Sequence, residues 1–190
     1  MSVGTATLSV NATSVAFGNV VINDAATQSL TLTSTGTSSV TVSAATLTGT
    51  GFTMSGATFP LTLTPNQAVT LSLQFDPTAT GAATGQLTIA SNSSTKASVV
   101  IALSATGVPH EVELTWEAPG SSSDPVAGYH VYRSPAGGTS YQQVSSIAAT
   151  QTTYSDNSVA SGQAYDYIVK SVDASGVESA PSNMTSVNIP

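Results

Sequence analysis

The chain contains no cysteine, and only three of its 190 residues are lysine or arginine. Without cysteine there is no disulfide framework, thiolate zinc site or thiol nucleophile. So few basic side chains cannot neutralise many phosphates, which excludes nucleic acid as a partner. An apolar run of about 20 residues, the length of a membrane-spanning helix, is also missing. We therefore expect neither nucleic-acid binding nor a membrane span.

Residues that commonly carry catalysis are scarce. The chain has only two histidines, His110 and His130, and no Gly-x-Ser-x-Gly elbow that would present a nucleophilic serine. His110 is predicted to lie, solvated, at a junction between domains. Glu111 and Glu113 share one strand face about 7 Å apart, but a glycosidase needs its two carboxylates across a cleft. We expect no catalytic residue and no enzyme activity.

Signatures of metal and cofactor sites are missing as well. The Asp-x-Asp-x-Asp-Gly loop of calcium sites is absent. Asp124, Asp156 and Asp173 fall in separate predicted turns, where aspartate bonds to its own backbone. The glycines match neither phosphate-loop nor dinucleotide-binding patterns. We expect no cofactor and no metal site.

Apolar and polar residues alternate along most of the chain, for example at 30–33, 69–75 and 99–103. This period of two puts one set of side chains on a buried face and the other in water, as in a half-buried β-strand. Glycine and proline interrupt the alternation at short intervals, which predicts an all-β fold made of sandwiches. The expected core comprises Phe17, Leu30, Leu32, Phe52, Leu71, Leu73, Phe75, Leu87, Ile89, Ile101, Leu114, Trp116, Tyr129, Val131, Tyr165, Tyr167 and Val169.

Composition changes near residue 107. Residues 1–107 carry a net charge of -1, residues 108–190 carry -6, and the single tryptophan and all six tyrosines lie in the second part. Pro109 follows the break and restricts the residue before it to an extended shape. The sequence thus predicts two domains, 1–107 and 108–190.

The first part resembles the ASH-type, or "choice-of-anchor", immunoglobulin-like domains of bacterial surface proteins, which are related to those of cilium and spindle proteins. The motifs that carry this resemblance are Val15–Val20, Gly49–Phe52, Pro60–Pro65, Val69–Pro77, Leu87–Ile89 and Leu103–Gly107. The resemblance implies an immunoglobulin-like β-sandwich.

The second part resembles a fibronectin type III domain. Val112–Trp116 is similar to strand B of that family, Gly128–Arg133 to strand C and Gly162–Val169 to strand F. The resemblance makes Tyr165 the tyrosine-corner residue. The family usually has a strand A before strand B, but only Val108–His110 is available here. Together, the two resemblances imply two tandem immunoglobulin-like β-sandwiches.

One surface patch is a candidate for interactions. Alternation on strands C and F points His130 and Tyr132 outward beside Ile168 and Lys170, and exposed aromatic and apolar residues on one sheet face often mark a binding site. The alternative is that neighbouring side chains or the first domain cover this face.

Function is inferred mainly from these resemblances. They imply a non-enzymatic spacer and interaction module pair of a secreted or cell-surface bacterial protein, located outside the cell within a longer chain. Two alternatives stay open: an ancillary, sugar-binding region of a secreted polysaccharide-degrading enzyme, with Tyr132 and Tyr141 as candidate contacts, or a repeating subunit of an extracellular filament. The partner is a protein or a glycan, and we expect a monomer or weak self-association.

Overall fold

The computed structural model describes residues 4–120, 125–145 and 151–190. Every regular element in these ranges is a β-strand, which confirms the all-β prediction. No helix long and apolar enough to cross a membrane occurs in the same ranges. The chain divides into two compact units, Met1–Val108 and Pro109–Pro190.

From residue 4 onward, the first unit is built from nine strands joined by short turns, consistent with the regular spacing of glycine and proline in its sequence. The strands are β1 (Leu8–Val10), β2 (Ser14–Val21), β3 (Ala26–Ser34), β4 (Val40–Thr48), β5 (Phe52–Ser55), β6 (Leu61–Leu63), β7 (Ala68–Phe75), β8 (Gly81–Ser91) and β9 (Ser98–Val108).

These strands form two sheets. One has the order β1-β3-β7-β5, and the other has the order β2-β9-β8-β4-β6. Strands β2 and β9 run parallel, whereas the other pairs are antiparallel. Apolar side chains from the two sheets form one core, so the first unit is a β-sandwich.

The core of the first unit follows the alternation in the sequence. All ten core residues predicted in this part are buried, which confirms that part of the prediction. Phe17, Phe52 and Phe75 form an aromatic group whose ring centroids lie 4.8–6.0 Å apart. These rings come from strands of both sheets and therefore join the sheets at one end of the core.

The described residues of the second unit form six strands in two sheets. The strands are β10 (Val112–Thr115), β11 (Val126–Pro135), β12 (Gln142–Gln143), β13 (Thr153–Asp156), β14 (Ala164–Asp173) and β15 (Thr185–Asn188). Strands β10 and β13 form a two-stranded sheet, and the other four have the order β12-β11-β14-β15. In the described part of this unit, no strand precedes β10, so the place of strand A is not filled from its own sequence.

The core of the second unit differs in part from the prediction. Four of the predicted residues are buried: Leu114, Tyr129, Val131 and Tyr167. Trp116, Tyr165 and Val169 are only partly buried, although they pack against this core. Trp116 follows the end of β10, which pairs with β13 alone among the described strands, and its ring meets Tyr129 edge-on at 5.4 Å. The small sheet therefore leaves part of the core open.

Candidate functional site

The four residues of the predicted patch lie together on the outer face of the larger sheet in the second unit. His130 and Tyr132 belong to β11, and Lys170 and Ile168 belong to β14. The antiparallel register places His130 opposite Lys170 and Tyr132 opposite Ile168. Directly opposite residues share one face of a sheet, so their side chains are neighbours.

Glu178 links three of these side chains. Its Oε1 accepts a hydrogen bond from the Tyr132 hydroxyl and lies 2.7 Å from His130 Nδ1, while its Oε2 accepts a 2.9 Å bond from Lys170 Nζ. Lys170 Nζ also lies 4.9 Å from the centroid of the Tyr132 ring, within the range of a cation–π contact. We call His130, Tyr132, Lys170 and Glu178 the outer-face cluster.

The hydrogen bonds fix the protonation of two members of the outer-face cluster. Bonds from Tyr132, His130 and Lys170 lower the pKa of Glu178 to about 2. The bond to Glu178, with some burial and the nearby negative charge, raises the pKa of Tyr132 to about 12. Near neutral pH the carboxylate therefore stays charged and the phenol stays protonated, which suits a fixed polar surface better than proton transfer.

The expected outward exposure of this patch is only partly right. The side chains of His130, Glu178 and Lys170 are 21%, 25% and 27% exposed, because they pack against one another around the carboxylate. Tyr132 and Ile168 are also half-buried, as is Tyr141, the other candidate sugar contact. The patch thus presents tethered rings and charges, with little free aromatic surface.

The sequence reasoning missed Glu178. This residue follows β14 by a tight turn at Asp173–Gly176, and an isolated bridge places it opposite Val172. It belongs to no strand, so the alternation rule gave no reason to place it on this face. The available signal was the short turn itself, because a hairpin brings the residues just after it back beside the preceding strand.

A second group of ionisable side chains is centred on Asp156, in the interior of the second unit. Asp156 is 1% exposed, and its Oδ2 accepts hydrogen bonds from Arg133 Nη1 at 2.7 Å and from the Tyr167 hydroxyl at 2.9 Å. Burial acts to raise the pKa of Asp156, but bonds from Ser158 and Tyr167 and the charge of Arg133 outweigh it and hold that pKa below its usual range. Asp156 was expected only as a turn residue, whereas it joins the two sheets of the second unit.

The remaining candidates behave in different ways. His110 is 6% exposed, so the expectation of a solvated histidine is wrong. Asp173 does shape a turn, because its Oδ1 accepts bonds from the backbone N–H groups of Ser175 and Val177. Asp124 lies outside the described residues. Within residues 4–120, 125–145 and 151–190, no three acidic, histidine or cysteine side chains are grouped as metal ligands.

A groove of about 440 Å³ lies beside the small sheet of the second unit. Its apolar lining includes Leu114, Trp116 and Val169, and its polar lining includes Ser182 and Asn183. The indole N–H of Trp116 is buried, and among the described residues it has no hydrogen-bond partner. The groove itself therefore combines apolar surface with hydroxyl and amide side chains.

Comparison with known proteins identifies the first unit. The family model of Cep192 domain 4 matches residues 5–108, which include all nine strands of that unit. The chain belongs to the Cep192 domain 4 family. The ASH / PapD-like domain of human CEP192 is a structural neighbour, with a TM-score of 0.44 and 14% identity over 55% of this chain and 87% of that one. The prediction of an ASH-type immunoglobulin-like domain is confirmed for this part of the chain by the family match.

This member of the Cep192 domain 4 family is also similar to two bacterial enzymes over part of its length. It is 41% identical over 73 residues to an amylopullulanase of Thermoanaerobacter thermohydrosulfuricus, covering 38% of this chain and 5% of that protein. It is 39% identical over 80 residues to an amylopullulanase of Thermoanaerobacterium saccharolyticum, covering 42% of this chain and 6% of that protein. The chain thus spans only a small fraction of these relatives.

Proposed function

We propose that this chain is a non-catalytic accessory region of a longer, exported polysaccharide-degrading enzyme, in which it acts as spacer and interaction surface. The similarity to amylopullulanases carries the proposal, because about two fifths of this chain matches a stretch that is a twentieth of those proteins. A stretch of that size is a module within a larger enzyme. This role places the chain outside the cell, as the parent acts on polymers that do not enter it.

The second unit fits this role as a fibronectin type III module. Its two sheets, β10-β13 and β12-β11-β14-β15, correspond to strands B-E and C′-C-F-G of that fold. The Tyr165 hydroxyl accepts a 3.3 Å bond from the backbone N–H of Ala160, five residues upstream, as a tyrosine corner requires. These two features support the assignment, and strand A alone is missing from the described residues.

The titratable side chains of the second unit support a non-catalytic role. Glu178 is held ionised by three donors, and Asp156 is bonded to Arg133 inside the sandwich. A general acid needs a pKa near the working pH, and a nucleophile needs access to the substrate. Glu178 therefore does not suit the role of general acid, and the buried Asp156 does not suit the role of nucleophile.

Hydrolysis assays test the absence of catalysis. We expect the purified chain to release no reducing ends from pullulan or amylopectin above the level of a heat-denatured sample. Release that rises in proportion to the protein concentration, and that survives further purification, would contradict the non-catalytic role.

The parent reading frame tests the assignment to an enzyme. We expect a glycosidase catalytic domain and an export signal in the same frame. A frame that contains only further copies of these modules and a wall-sorting signal would instead indicate a surface protein, which is the other interpretation of the sequence.

A further inference from the structure

The small sheet of the second unit has an open edge. Strand β10 pairs with β13, and within the described residues it has no second neighbour. Two-stranded sheets are marginally stable and gain from a third strand. The open edge of β10 is therefore a place where another extended segment can add.

The backbone of β10 is oriented for such an addition. The backbone N–H of Trp116 donates a hydrogen bond to the Thr152 carbonyl, which lies just before β13, and the register of β10 with β13 continues this pairing. In an antiparallel pair, alternate residues bond to the partner, so Val112 and Leu114 face β13. The backbone N–H and C=O groups of Glu113 and Thr115 consequently point to the open edge.

The groove lies along this same edge. It runs beside Leu114, Thr115 and Trp116 on one side and Ser182, Asn183 and Thr185 on the other. A strand paired to Glu113 and Thr115 enters the groove and places alternate side chains beside Leu114 and Val169. The open edge and the groove therefore favour the same occupant, an extended peptide.

Charge selects among extended peptides. Glu111, Glu113 and Glu117 are exposed on β10 and its flanks, whereas both basic residues of the unit, Arg133 and Lys170, are already paired with Asp156 and Glu178. Like charges on directly opposite residues of a sheet are destabilising, and opposite charges are stabilising. The edge thus repels a second copy of this acidic strand and accepts a basic one.

We propose that the open edge of β10 binds an extended, basic segment of a partner polypeptide, which adds as a third strand and lies in the groove. The segment carries apolar residues at alternate positions and lysine or arginine between them. This site is independent of the proposed parent enzyme, because it rests on the geometry of the second unit alone.

Fluorescence binding to the full chain tests this proposal. The probe is a capped peptide of roughly six residues, alternating valine and lysine, long enough to pair along β10. Trp116 is the only tryptophan in the chain and lines the groove, so its emission should shift as the peptide binds. A peptide alternating valine and glutamate should bind about tenfold or more weakly.

Two controls separate strand addition from general attraction between opposite charges. Two N-methylated valine–lysine peptides serve as controls, one methylated at the valines and the other at the lysines. Each keeps the charge but loses the backbone N–H donors along one of its two edges. We expect one of the two to bind about tenfold more weakly than the unmethylated peptide, since at least one hydrogen bond is lost. On the protein, Thr115→Pro removes an N–H that points to the open edge while leaving the bonds to β13, and Thr115→Ala retains that N–H.

The outcomes distinguish the occupants. The proposal is supported if peptide binding shifts Trp116 emission and is weakened by Thr115→Pro or by one of the two N-methylation patterns. Thr115→Ala should leave the binding unchanged. Equal binding of the lysine, glutamate and N-methyl peptides overturns it. A concentration-dependent dimer that Thr115→Pro abolishes also overturns it, because a second copy then occupies the edge. If Thr115→Pro does not fold, Glu113→Lys replaces it and should reverse the preference between the lysine and glutamate peptides.

Discussion

Glu178 and Asp156 are both held ionised, but by different surroundings. Glu178 is a quarter exposed and owes its charge to donors from three side chains on the outer face, whereas Asp156 is buried and depends on Arg133, Tyr167 and Ser158. A buried carboxylate that loses its partners is far more costly than a partly exposed one, since water cannot replace the lost hydrogen bonds of the buried group. Substitutions at the two sites should therefore differ in effect.

The ionisation of Glu178 is directly measurable. We expect its side-chain carboxyl carbon to titrate in NMR with a pKa of about 2, below the ordinary 4.5. Folding lowers this pKa, so the ionised form stabilises the fold above about pH 4.5, and this contribution is lost as the pH falls toward 2. The stability difference between the wild type and Glu178→Gln should narrow over that range. A midpoint above pH 4 would show that the three donors do not act together.

Removal of Asp156 should destabilise the second unit strongly. We expect Asp156→Ala to cost about 2–4 kcal/mol, because Arg133 and the Tyr167 hydroxyl lose their acceptor inside the sandwich. Urea unfolding followed by Trp116 fluorescence measures this cost. Ser158→Ala is the matched control, and it should cost about 1 kcal/mol or less because Asp156 keeps its other donors. Equal effects of the two substitutions would contradict the role given to Asp156.

At the scale of the strands, the sequence was most informative where one face meets a large core. Leu30, Leu32, Leu71 and Leu73 alternate with polar residues and are all buried as predicted. The same rule was less successful at Trp116, because β10 has just one neighbouring strand among the residues that the structure describes. It missed Glu178 altogether, since alternation says nothing about a residue that returns to a sheet after a turn. Periodicity predicts which side of a strand is inside, but not what covers its edges.

The turn between β4 and β5 has a strict requirement for glycine. Gly49 has a φ of +112°, and an added Cβ would lie 2.7 Å from the Thr84 carbonyl oxygen and 2.9 Å from the Phe52 ring. We expect Gly49→Ala to cost about 3 kcal/mol, from backbone strain together with displacement of the aromatic group. Far-UV circular dichroism is the suitable probe, because residues 1–108 contain no tryptophan or tyrosine.

Gly18 provides the control for this turn. It also has a positive φ, +72°, but nothing lies within 4 Å of an added Cβ. Gly18→Ala should therefore cost about 1 kcal/mol, from backbone strain alone. If the two alanine variants unfold at the same urea concentration, the contacts around Gly49 do not contribute to its requirement for glycine.

For the whole molecule, composition predicted a domain boundary near residue 107, because the net charge and the content of aromatic residues both change there. The family of the first unit was also predictable, since strand alternation and turn residues agree along its whole length. The outer-face cluster was predicted in part, as three of its members, His130, Tyr132 and Lys170, do share one face. What binds there was not, because the cluster is held together by its own hydrogen bonds and shows no chemistry that names a ligand.

Each unit should fold when it is produced alone. The buried residues form two separate clusters, one in residues 8–105 and the other in residues 112–189. We expect fragments 1–108 and 109–190 each to unfold cooperatively in urea, followed by circular dichroism and by Trp116 fluorescence respectively. The second fragment should have the lower midpoint, because its core is smaller and β10 has an open edge. A second fragment without a cooperative transition would mean that its core depends on residues outside 109–190. Addition of the valine–lysine peptide should raise its midpoint if the same edge is what limits its stability.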